Sequence, residues 1–389
     1  MIAVGLMAGT SLDGIDVALV EIVPRGPSYG VNLVRFATVP FAADVERRLR
    51  AAVAPGLPSP QETAALDADV GAAFGDAALA VAAEVTPAFV ASHGVTLFHD
   101  GVAHRTVQIG DPYAIRERIG ATVLWDFRRA DCAAGGHGAP LVPYVDALLL
   151  SSAGHRAVLN LGGIANVTLL APGAAPADAL AWDVGPANML VDGFVRDRTG
   201  GRERCDRDGV YALRGAPNAE AVAAMLCDPY FAAAPPKSTG RERFGDGFAR
   251  EHAALLAPLS LEDGCATLTA LSAAAIARDL GARVPPGGEV LVAGGGRHNR
   301  ALMQMLRASL APRSVEPVER AGMDGDAKEA VAFAVLGYEL LRERPAGLPA
   351  VTGARAPALL GAIAPHRLAA LLERVAEEVR AAGRQRRQA

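Results

Sequence analysis

Residues 2–23 read IAVGLMAGTSLDGIDVALVEIV, which is two apolar runs joined by a polar segment. Apolar runs of this length, bounded by glycine and aspartate, predict a strand, a turn and a second strand that are covered on at least one face. The polar segment between them, Gly9–Asp16, holds two hydroxyls, two carboxylates and two glycines. A plain hairpin turn needs far less chemistry, so this segment is the first candidate site.

The pair Asp13-Gly14 is by itself a favoured hairpin turn, and this is the purely structural explanation of the segment. It does not account for Thr10, Ser11 or Asp16. Successive backbone N–H groups at a glycine turn form a concave anion site, and a carboxylate suits Mg²⁺ or its waters. The segment therefore predicts a loop for the phosphates of a nucleotide, with Asp16 as a Mg²⁺ ligand. The residues assigned to this loop are Gly9, Thr10, Ser11, Leu12, Asp13, Gly14, Ile15 and Asp16.

A second hairpin repeats this design in residues 155–170, HRAVLNLGGIANVTLL. An apolar strand leads to the tip Gly162-Gly163 and a return strand, which indicates an internal duplication; a chance likeness between short apolar hairpins is the alternative. Helical periodicity over 60–86 and a strand over 87–95 add the alternation typical of an α/β sheet. A chain of 389 residues is expected to form two such domains.

A third glycine-rich turn follows the strand predicted over 289–293. It lacks the last glycine of GxGxxG, and no GxxxxGK[ST] occurs, since Lys237-Ser238-Thr239 follows two prolines. A glycine-rich strand end still lets a nucleoside lie flat against the backbone. The nucleotide is therefore assigned the glycines of both tips and asparagines beside them: Gly162, Gly163, Asn166, Gly294, Gly295, Gly296 and Asn299.

Two helices are predicted near the end of the chain, over 326–343 and 366–384. The second one places its apolar residues on one face, which predicts a helix docked on the surface, with a frayed tail as the alternative. The residues on that face are Leu368, Leu371, Leu372, Val375 and Val379.

Asp183 lies in the stretch WDVGPAN, residues 182–188, at the predicted end of a strand. Strand ends are where α/β proteins place reacting groups, so this carboxylate is a candidate general base toward water or a hydroxyl. A turn-capping role is the structural alternative.

Adjacent arginines, Arg128 and Arg129, precede a flexible AGGHGAP stretch. Arginine binds carboxylate or phosphate through two parallel hydrogen bonds, so the pair suggests an anionic substrate; surface ion pairs are the alternative. His93 and His99 flank a Gly-Val-Thr segment with no third ligand at metal spacing, which favours substrate contact or packing over zinc.

Composition narrows the class of partner. The formal net charge is −4, so no basic face is indicated and nucleic acid is not expected. The four cysteines show no CxxC spacing, which is typical of idle thiols in a reducing compartment. No apolar run of about 18 residues and no basic leader occur, so we expect no membrane span and a cytoplasmic protein.

The ordered motifs of residues 2–365 resemble the anhydro-N-acetylmuramic acid kinase family. The matching stretches are GLMAGTSLDGIDV, SHGVTLFH, TVQIGDP, WDFRRADCAAGGHGAPLVP, LNLGGIANVTLL, WDVGPANMLVD, DPYFAAAPPKSTGRERF, VAGGGRHN, DAKEAVAFA, LPAVTGA and GAIAP. That family belongs to the superfamily of acetate and sugar kinases, heat-shock proteins and actin. The resemblance implies two duplicated actin-like α/β domains around a nucleotide cleft, here 1–150 with 350–389 packing back on it, and 151–349.

The resemblance also implies the reaction. ATP with Mg²⁺ would phosphorylate O6 of 1,6-anhydro-N-acetylmuramic acid while water opens the anhydro ring at C1. The product would be N-acetylmuramic acid 6-phosphate, made during peptidoglycan recycling, and the enzyme would be a homodimer. By position, Asp183 matches the family's catalytic base, Glu329 is a second acidic residue near the sugar, and the substrate contacts are His93, Arg128, Arg129, Gly138 and Asn188.

Five positions depart from the family's pattern: Ala8, Val95, His137, Val184 and Ala187. None of these removes the base or the phosphate loop. Two other functions stay open from the sequence. One is an amino-sugar kinase that acts without ring opening, and the other is a non-catalytic sugar sensor that kept a nucleotide cleft.

Overall fold

The structure is a computed structural model that describes residues 1–9, 12, 14–25, 28–53 and 58–385, apart from the side chains of 382–385. Its strands are β1 (Ile2–Ala8), β2 (Ile15–Arg25), β3 (Ser28–Val39), β4 (Phe89–Asp100), β5 (Arg105–Ile109), β6 (Thr122–Trp125), β7 (Arg156–Leu161), β8 (Ile164–Leu170), β9 (Leu180–Pro186), β10 (Glu289–Ala293), β11 (Ser314–Pro317) and β12 (Ala362–Ala364).

The helices follow in chain order. They are α1 (Ala43–Ala52), α2 (Pro60–Ala82), α3 (Pro112–Ile119), α4 (Arg129–Ala133), α5 (Val142–Leu150), α6 (Met189–Arg198), α7 (Val210–Arg214), α8 (Ala219–Met225), α9 (Arg241–Phe244), α10 (Asp246–Glu251), α11 (Ala253–Leu256), α12 (Leu261–Gly281), α13 (Arg300–Leu310), α14 (Lys328–Leu341), α15 (Pro349–Thr352) and α16 (Leu368–Gln385).

The chain divides into two units. The first contains Met1–Val145 and Ala327–Ala389, and the second contains Asp146–Asp326. The first boundary lies near the expected residue 150, within α5, but the second lies earlier than the expected residue 349. Residues 327–349 belong to the first unit because α14 packs against β1, β2 and β4.

The first unit is built on a sheet with the order β12-β6-β4-β1-β2-β3, and β5 pairs with β4. β1 is antiparallel to β2, as the opening hairpin predicts, and parallel to β4. The sheet is covered by α2 and α14, which explains why β1 and β2 are apolar almost throughout. Gly5 in β1 permits the close approach of α14, since an added Cβ would lie 1.8 Å from the backbone oxygen of Ala330.

The second unit repeats this order of strands. Its sheet runs β11-β10-β7-β8-β9, with β7 antiparallel to β8 and parallel to β10. In both sheets a three-strand antiparallel meander is continued by parallel strands on the side of the first strand. The predicted α/β class and the duplication are therefore confirmed. Helices α12 and α13 pack on each other, and their apolar residues Ile276, Leu280, Leu302 and Leu306 join the core of this sheet.

The long helices begin at side-chain caps. Ser59 accepts a hydrogen bond from the N–H of Glu62 at the start of α2, and Ser260 accepts one from Asp263 at the start of α12. Such caps satisfy N–H groups that a helix leaves unpaired at its first turn. The last helix, α16, is docked as predicted through Leu371 and Val375, which are buried, and α16 contacts β2. Leu372 and Val379, which were predicted on the same face, are exposed.

Candidate functional site

The carboxylate of Asp183 is held by two donors from one segment. In β9, Asp183 is half-buried, and its Oδ2 accepts hydrogen bonds from the Ser238 hydroxyl at 2.8 Å and the Thr239 N–H at 3.0 Å. Oδ1 accepts no hydrogen bond from the part of the chain that the structure describes. Burial raises the pKa of Asp183, and the hydrogen bonds from Thr239 and Ser238 oppose this rise.

This arrangement suits a general base. A carboxylate with a raised pKa binds a proton more strongly, and one oxygen is left for a water or hydroxyl. The sequence identified Asp183 but gave no role to Ser238 and Thr239, which lie more than 50 residues away in the chain. The available signal was the PPKSTG stretch itself, which fails the phosphate-loop pattern and matches the family's motifs, but was given no role.

Most nucleotide residues predicted in the second unit lie together. The side-chain amide of Asn188 donates to the Gly162 oxygen at 2.9 Å, and a Cβ added at Gly296 would lie 2.8 Å from the same amide nitrogen. Gly294 has a φ of +76°, which favours glycine, while a Cβ at Gly295 would meet open space. The tip glycines and the strand-end glycines therefore meet around Asn188, which was predicted as a substrate contact.

The two predicted asparagines differ in position. Asn166 in β8 is the cross-strand partner of Asp183, so it lies beside the candidate base as well as near the glycine tip. Asn299 is buried, and its side-chain oxygen accepts a hydrogen bond from the N–H of Leu302 at the start of α13. Asn299 is a helix cap, and its oxygen is therefore already engaged.

In the first unit, Arg128 is fixed on one side by two acceptors. Its Nε donates to His93 Nε2 at 2.9 Å, and Nη1 donates to the Gly138 oxygen at 2.9 Å. Nη2 makes no hydrogen bond to any residue within the described ranges. Gly138 has a φ of +74° and is itself held by the buried carboxylate of Asp131 through its N–H. The structure therefore brings three predicted substrate residues, His93, Arg128 and Gly138, into one cluster.

The electrostatics of this cluster keep His93 neutral. Burial lowers the pKa of His93 well below its ordinary value, and the positive charge of Arg128 lowers it further. His93 Nδ1 lies 3.0 Å from the Gly94 oxygen, so Nδ1 carries the proton and Nε2 accepts from Arg128. Burial lowers the pKa of Arg128 to about 10, and the negative charge of Glu329 opposes this shift. Glu329, the predicted second acidic residue, thus acts on the same cation.

Arg129 lies apart from this cluster. Its Nε pairs with Asp126 at 2.8 Å, its side chain is 57% exposed, and its guanidinium lies over the ring of Trp125. It lines a groove of about 740 Å³ in the first unit, together with residues such as Phe98 and Tyr113. The cluster of His93, Arg128 and Gly138 does not line that groove.

The opening hairpin tip is described only in part. Thr10, Ser11 and Asp13 lie outside the described residues. Leu12 and Ile15 are buried in the core, so only their backbone groups are available to a ligand. The remaining tip residues are Gly9, Gly14 and Asp16, and Thr38 donates its hydroxyl hydrogen to Asp16 Oδ1 at 2.6 Å.

Comparison with known proteins agrees with the ordered motifs. The model of a family described as anhydro-N-acetylmuramic acid kinase matches residues 1–366. A relative of that name from Gloeobacter violaceus is 44% identical over 91% of this chain and 96% of its own length. Relatives of the same name from Salinibacter ruber and Pseudomonas paraeruginosa are 40% and 41% identical, each over 91% of this chain, and over 93% and 96% of their own lengths.

The chain belongs to the anhydro-N-acetylmuramic acid kinase family. The match ends at residue 366, just before α16, so this helix lies outside the family model. The family's sequence pattern thus covers both hairpins, Asp183 with its Ser238-Thr239 partners, and the His93–Arg128 cluster.

The predicted Mg²⁺ is assigned to Asp16, whose carboxylate is a donor that suits this ion. Asp16 offers a half-buried carboxylate at the end of the opening hairpin. Within the ranges given above, no group of three or more His, Cys, Asp or Glu is placed to hold a metal ion alone. In the same ranges, no helix is long and apolar enough to cross a membrane.

Proposed function

We propose that this chain uses ATP to phosphorylate O6 of 1,6-anhydro-N-acetylmuramic acid while opening the anhydro ring with water. The product is N-acetylmuramic acid 6-phosphate, which enters the recycling of peptidoglycan. Membership of the family supports the substrate. The observation that carries the mechanism is the carboxylate of Asp183, which has one oxygen bound by Ser238 and Thr239, the other without a partner in the described chain, and a raised pKa.

In this proposal Asp183 takes a proton from the water that attacks C1. The new C1–oxygen bond forms as the C1–O6 bond breaks, with inversion at C1. O6 leaves with the electron pair of that bond and attacks the γ-phosphorus of ATP, and ADP departs. One base thereby serves both steps, since ring opening generates the oxygen nucleophile that phosphoryl transfer requires.

Arg128 is proposed to bind the lactyl carboxylate of the sugar. Its guanidinium is oriented by neutral His93 and by Gly138, and Nη2 is left to a ligand. A pKa of about 10 keeps Arg128 positively charged at neutral pH. Glu329 supplies a compensating negative charge near the cation, and Arg129 is assigned at most a secondary part because its own ion pair with Asp126 holds it elsewhere.

The nucleotide is proposed to contact the glycine tips. Gly162, Gly163 and Gly294–Gly296 allow close backbone approach, and Gly9–Asp16 supplies donors to the phosphates. Asp16 would hold Mg²⁺, which neutralises charge on the phosphates when bound. A homodimer, which the resemblance implied, stays a prediction.

The proposed reaction is tested by incubating the protein with ATP and the anhydro sugar in ¹⁸O water. We expect one ¹⁸O atom at C1 of a 6-phosphorylated product, identified by mass. A phosphorylated product that carries no label and keeps the anhydro ring would show kinase chemistry without ring opening. No product from ATP and the anhydro sugar would favour the sensor function instead.

A further inference from the structure

The segment between Tyr230 and Thr239 surrounds Asp183, although residues 233–240 form neither helix nor strand. The backbone N–H of Asp183 donates to the Lys237 oxygen at 3.1 Å, and its backbone oxygen accepts from the Tyr230 hydroxyl at 2.7 Å. β9 is an edge strand, so these two groups would otherwise have no strand partner. Both backbone groups and the carboxylate of Asp183 therefore depend on one irregular segment.

The buried side chain of Lys237 anchors that segment. Its Nζ lies 2.9 Å from Asp279 Oδ2, and the two side chains are only 5% and 4% exposed. The same Nζ lies 4.9 Å from the centre of the Tyr230 ring. The residue that precedes Ser238 is thus buried as one half of an ion pair.

Asp279 also holds the strand that carries Asp183. Its Oδ1 accepts hydrogen bonds from Trp182 Nε1 at 3.1 Å and from Arg283 Nη1 at 2.7 Å. Asp279 and Arg283 belong to α12 and the turn after it, and Trp182 precedes Asp183 in β9. One carboxylate therefore connects both the strand and the irregular segment to the same long helix.

A buried ion pair of this kind is a poor source of net stability, because desolvation offsets much of the attraction. Its better-supported use is to select one arrangement over others. A shift of the segment by one residue would place Ser238 beside Asp279 in place of Lys237 and leave the buried Asp279 carboxylate without that ammonium. The pair therefore fixes which residues face Asp183.

We propose that Ser238 and Thr239, kept in register by the Lys237–Asp279 ion pair, are positioning residues that hold Asp183 Oδ2 and turn Oδ1 toward the attacking water. This inference rests on the proposed function, since it assigns to Asp183 the role of base. The Ser238 hydroxyl also opposes the effect of burial on that carboxylate, so its loss must change when Asp183 titrates.

The test compares the full-length protein with Ser238→Ala, using kcat and kcat/KM for ATP and the anhydro sugar across pH. We expect kcat to fall about tenfold, which is the cost of one hydrogen bond to a charged group. We expect KM for both substrates to stay within about twofold, because the hydroxyl is not assigned a substrate contact. The acidic limb of kcat/KM should move to higher pH, because removal of this donor lets burial, together with the negative charge of Glu242, raise the pKa of Asp183 further.

Two variants serve as controls. Ser238→Thr keeps the hydroxyl and should restore the position of the acidic limb. Ser152→Ala removes a hydroxyl that bonds only within a surface turn, to the Gly154 oxygen, and should leave the whole profile unchanged. Ser238 is exposed, so none of these changes should prevent folding.

The ion pair is tested by Lys237→Met, alone and combined with Ser238→Ala. If Lys237 sets the register, Ser238→Ala should cost little in the Lys237→Met background, because the hydroxyl has already left the carboxylate. If the losses of kcat in the two single variants add fully in the double variant, the proposal that Lys237 sets the register of the segment is wrong. An unmoved acidic limb in Ser238→Ala, or a raised KM with unchanged kcat, would overturn the positioning role even if Lys237→Met does not fold.

Failure of this inference can be told from failure of the proposed function through Asp183→Asn. If that variant turns over normally, Asp183 is not the base and both proposals fall. If it is inactive while Ser238→Ala keeps the original acidic limb, the base stands and only the positioning role is wrong.

Discussion

The two units share one order of strands, but a strand glycine of the first hairpin and a tip glycine of the second have different neighbours. In the first unit, Gly5 of β1 lies against the backbone of α14, where an added Cβ would meet the Ala330 oxygen. In the second unit, a Cβ added at Gly162 would have the Ile164 oxygen at 3.7 Å as its nearest atom. The first glycine is therefore required for packing, whereas the second leaves room for a ligand.

The charged groups of the two units differ in the same way. The first unit holds a cation, Arg128, with a neutral histidine and a backbone oxygen. The second holds an anion, Asp183, with a hydroxyl and a backbone N–H. In each case neutral dipoles fix one side of the charged group and leave the other side to a ligand. The duplicated sheets thus carry charged groups of opposite sign. The loops that hold these groups differ between the two units and are not part of the repeat.

The largest effect is expected from a substitution of the anion of the second unit, Asp183. Asp183→Asn keeps the shape of the side chain but removes the base, so we expect kcat to fall by about 10²–10⁴-fold, the usual contribution of general-base catalysis. ATP binding, measured by calorimetry, should be retained. Asp197→Asn, on an exposed part of α6, is the matched control and should keep full activity. Equal turnover in the two variants would remove Asp183 from its role.

The role of the cation Arg128 is tested by substituting Arg128 and Arg129 one at a time. Arg128→Ala should raise KM for the sugar by about 10²-fold, because a charge-assisted bond to its carboxylate is lost. Arg129→Ala should change it by less than about twofold, since this side chain pairs with Asp126 at the surface. Steady-state kinetics with the anhydro sugar decide between them, and equal effects would contradict the assignment of Arg128 alone.

The packing difference predicts unequal tolerance of a methyl group. Gly5→Ala should lower the free energy of unfolding by about 2–4 kcal/mol, because backbone of α14 must move. Gly162→Ala should change it by less than about 0.5 kcal/mol, since its Cβ would meet only ordinary contacts. Denaturant unfolding measures both. A larger loss in Gly162→Ala than in Gly5→Ala would reverse the comparison.

The smallest expected effect concerns a second carboxylate of the second unit. Burial raises the pKa of Asp192 in α6 to about 6. An acid whose pKa is raised by folding stabilises the folded state at a pH below its unfolded pKa. This contribution to stability is lost as the pH rises through the folded pKa of about 6. Asp192→Asn should therefore raise the melting temperature at pH 8 more than at pH 4. Thermal unfolding at the two pH values measures this, and an equal change at both would contradict it.

The sequence predicted the parts of the molecule that depend on neighbours in the chain. Both hairpins, the strand at 289–293 and the docked helix α16 follow from local periodicity and glycine turns. The assignment of 327–349 to the second domain was wrong in placement, because no local signal tells which sheet the apolar helix α14 covers. The packing of α14 on this sheet depends on distant residues such as Gly5, more than 300 residues earlier.

The candidate site shows the same limit. Asp183 was visible as a strand-end carboxylate, but its partners Ser238 and Thr239 come from an irregular segment whose path is set by a distant ion pair. Adjacent Arg128 and Arg129 looked equivalent in sequence. The backbone enters α4 between them, and their side chains consequently diverge toward His93 and Asp126.

The split of the first unit has a consequence for synthesis on the ribosome. All of Asp146–Asp326 is translated before α14, which covers β1 from Lys328 onward. The second unit is complete as soon as residue 326 emerges, while the earlier-made strands of the first unit wait with an uncovered apolar face. The nascent chain is then most exposed to aggregation at its older end, and chaperone binding is expected there until α14 is made.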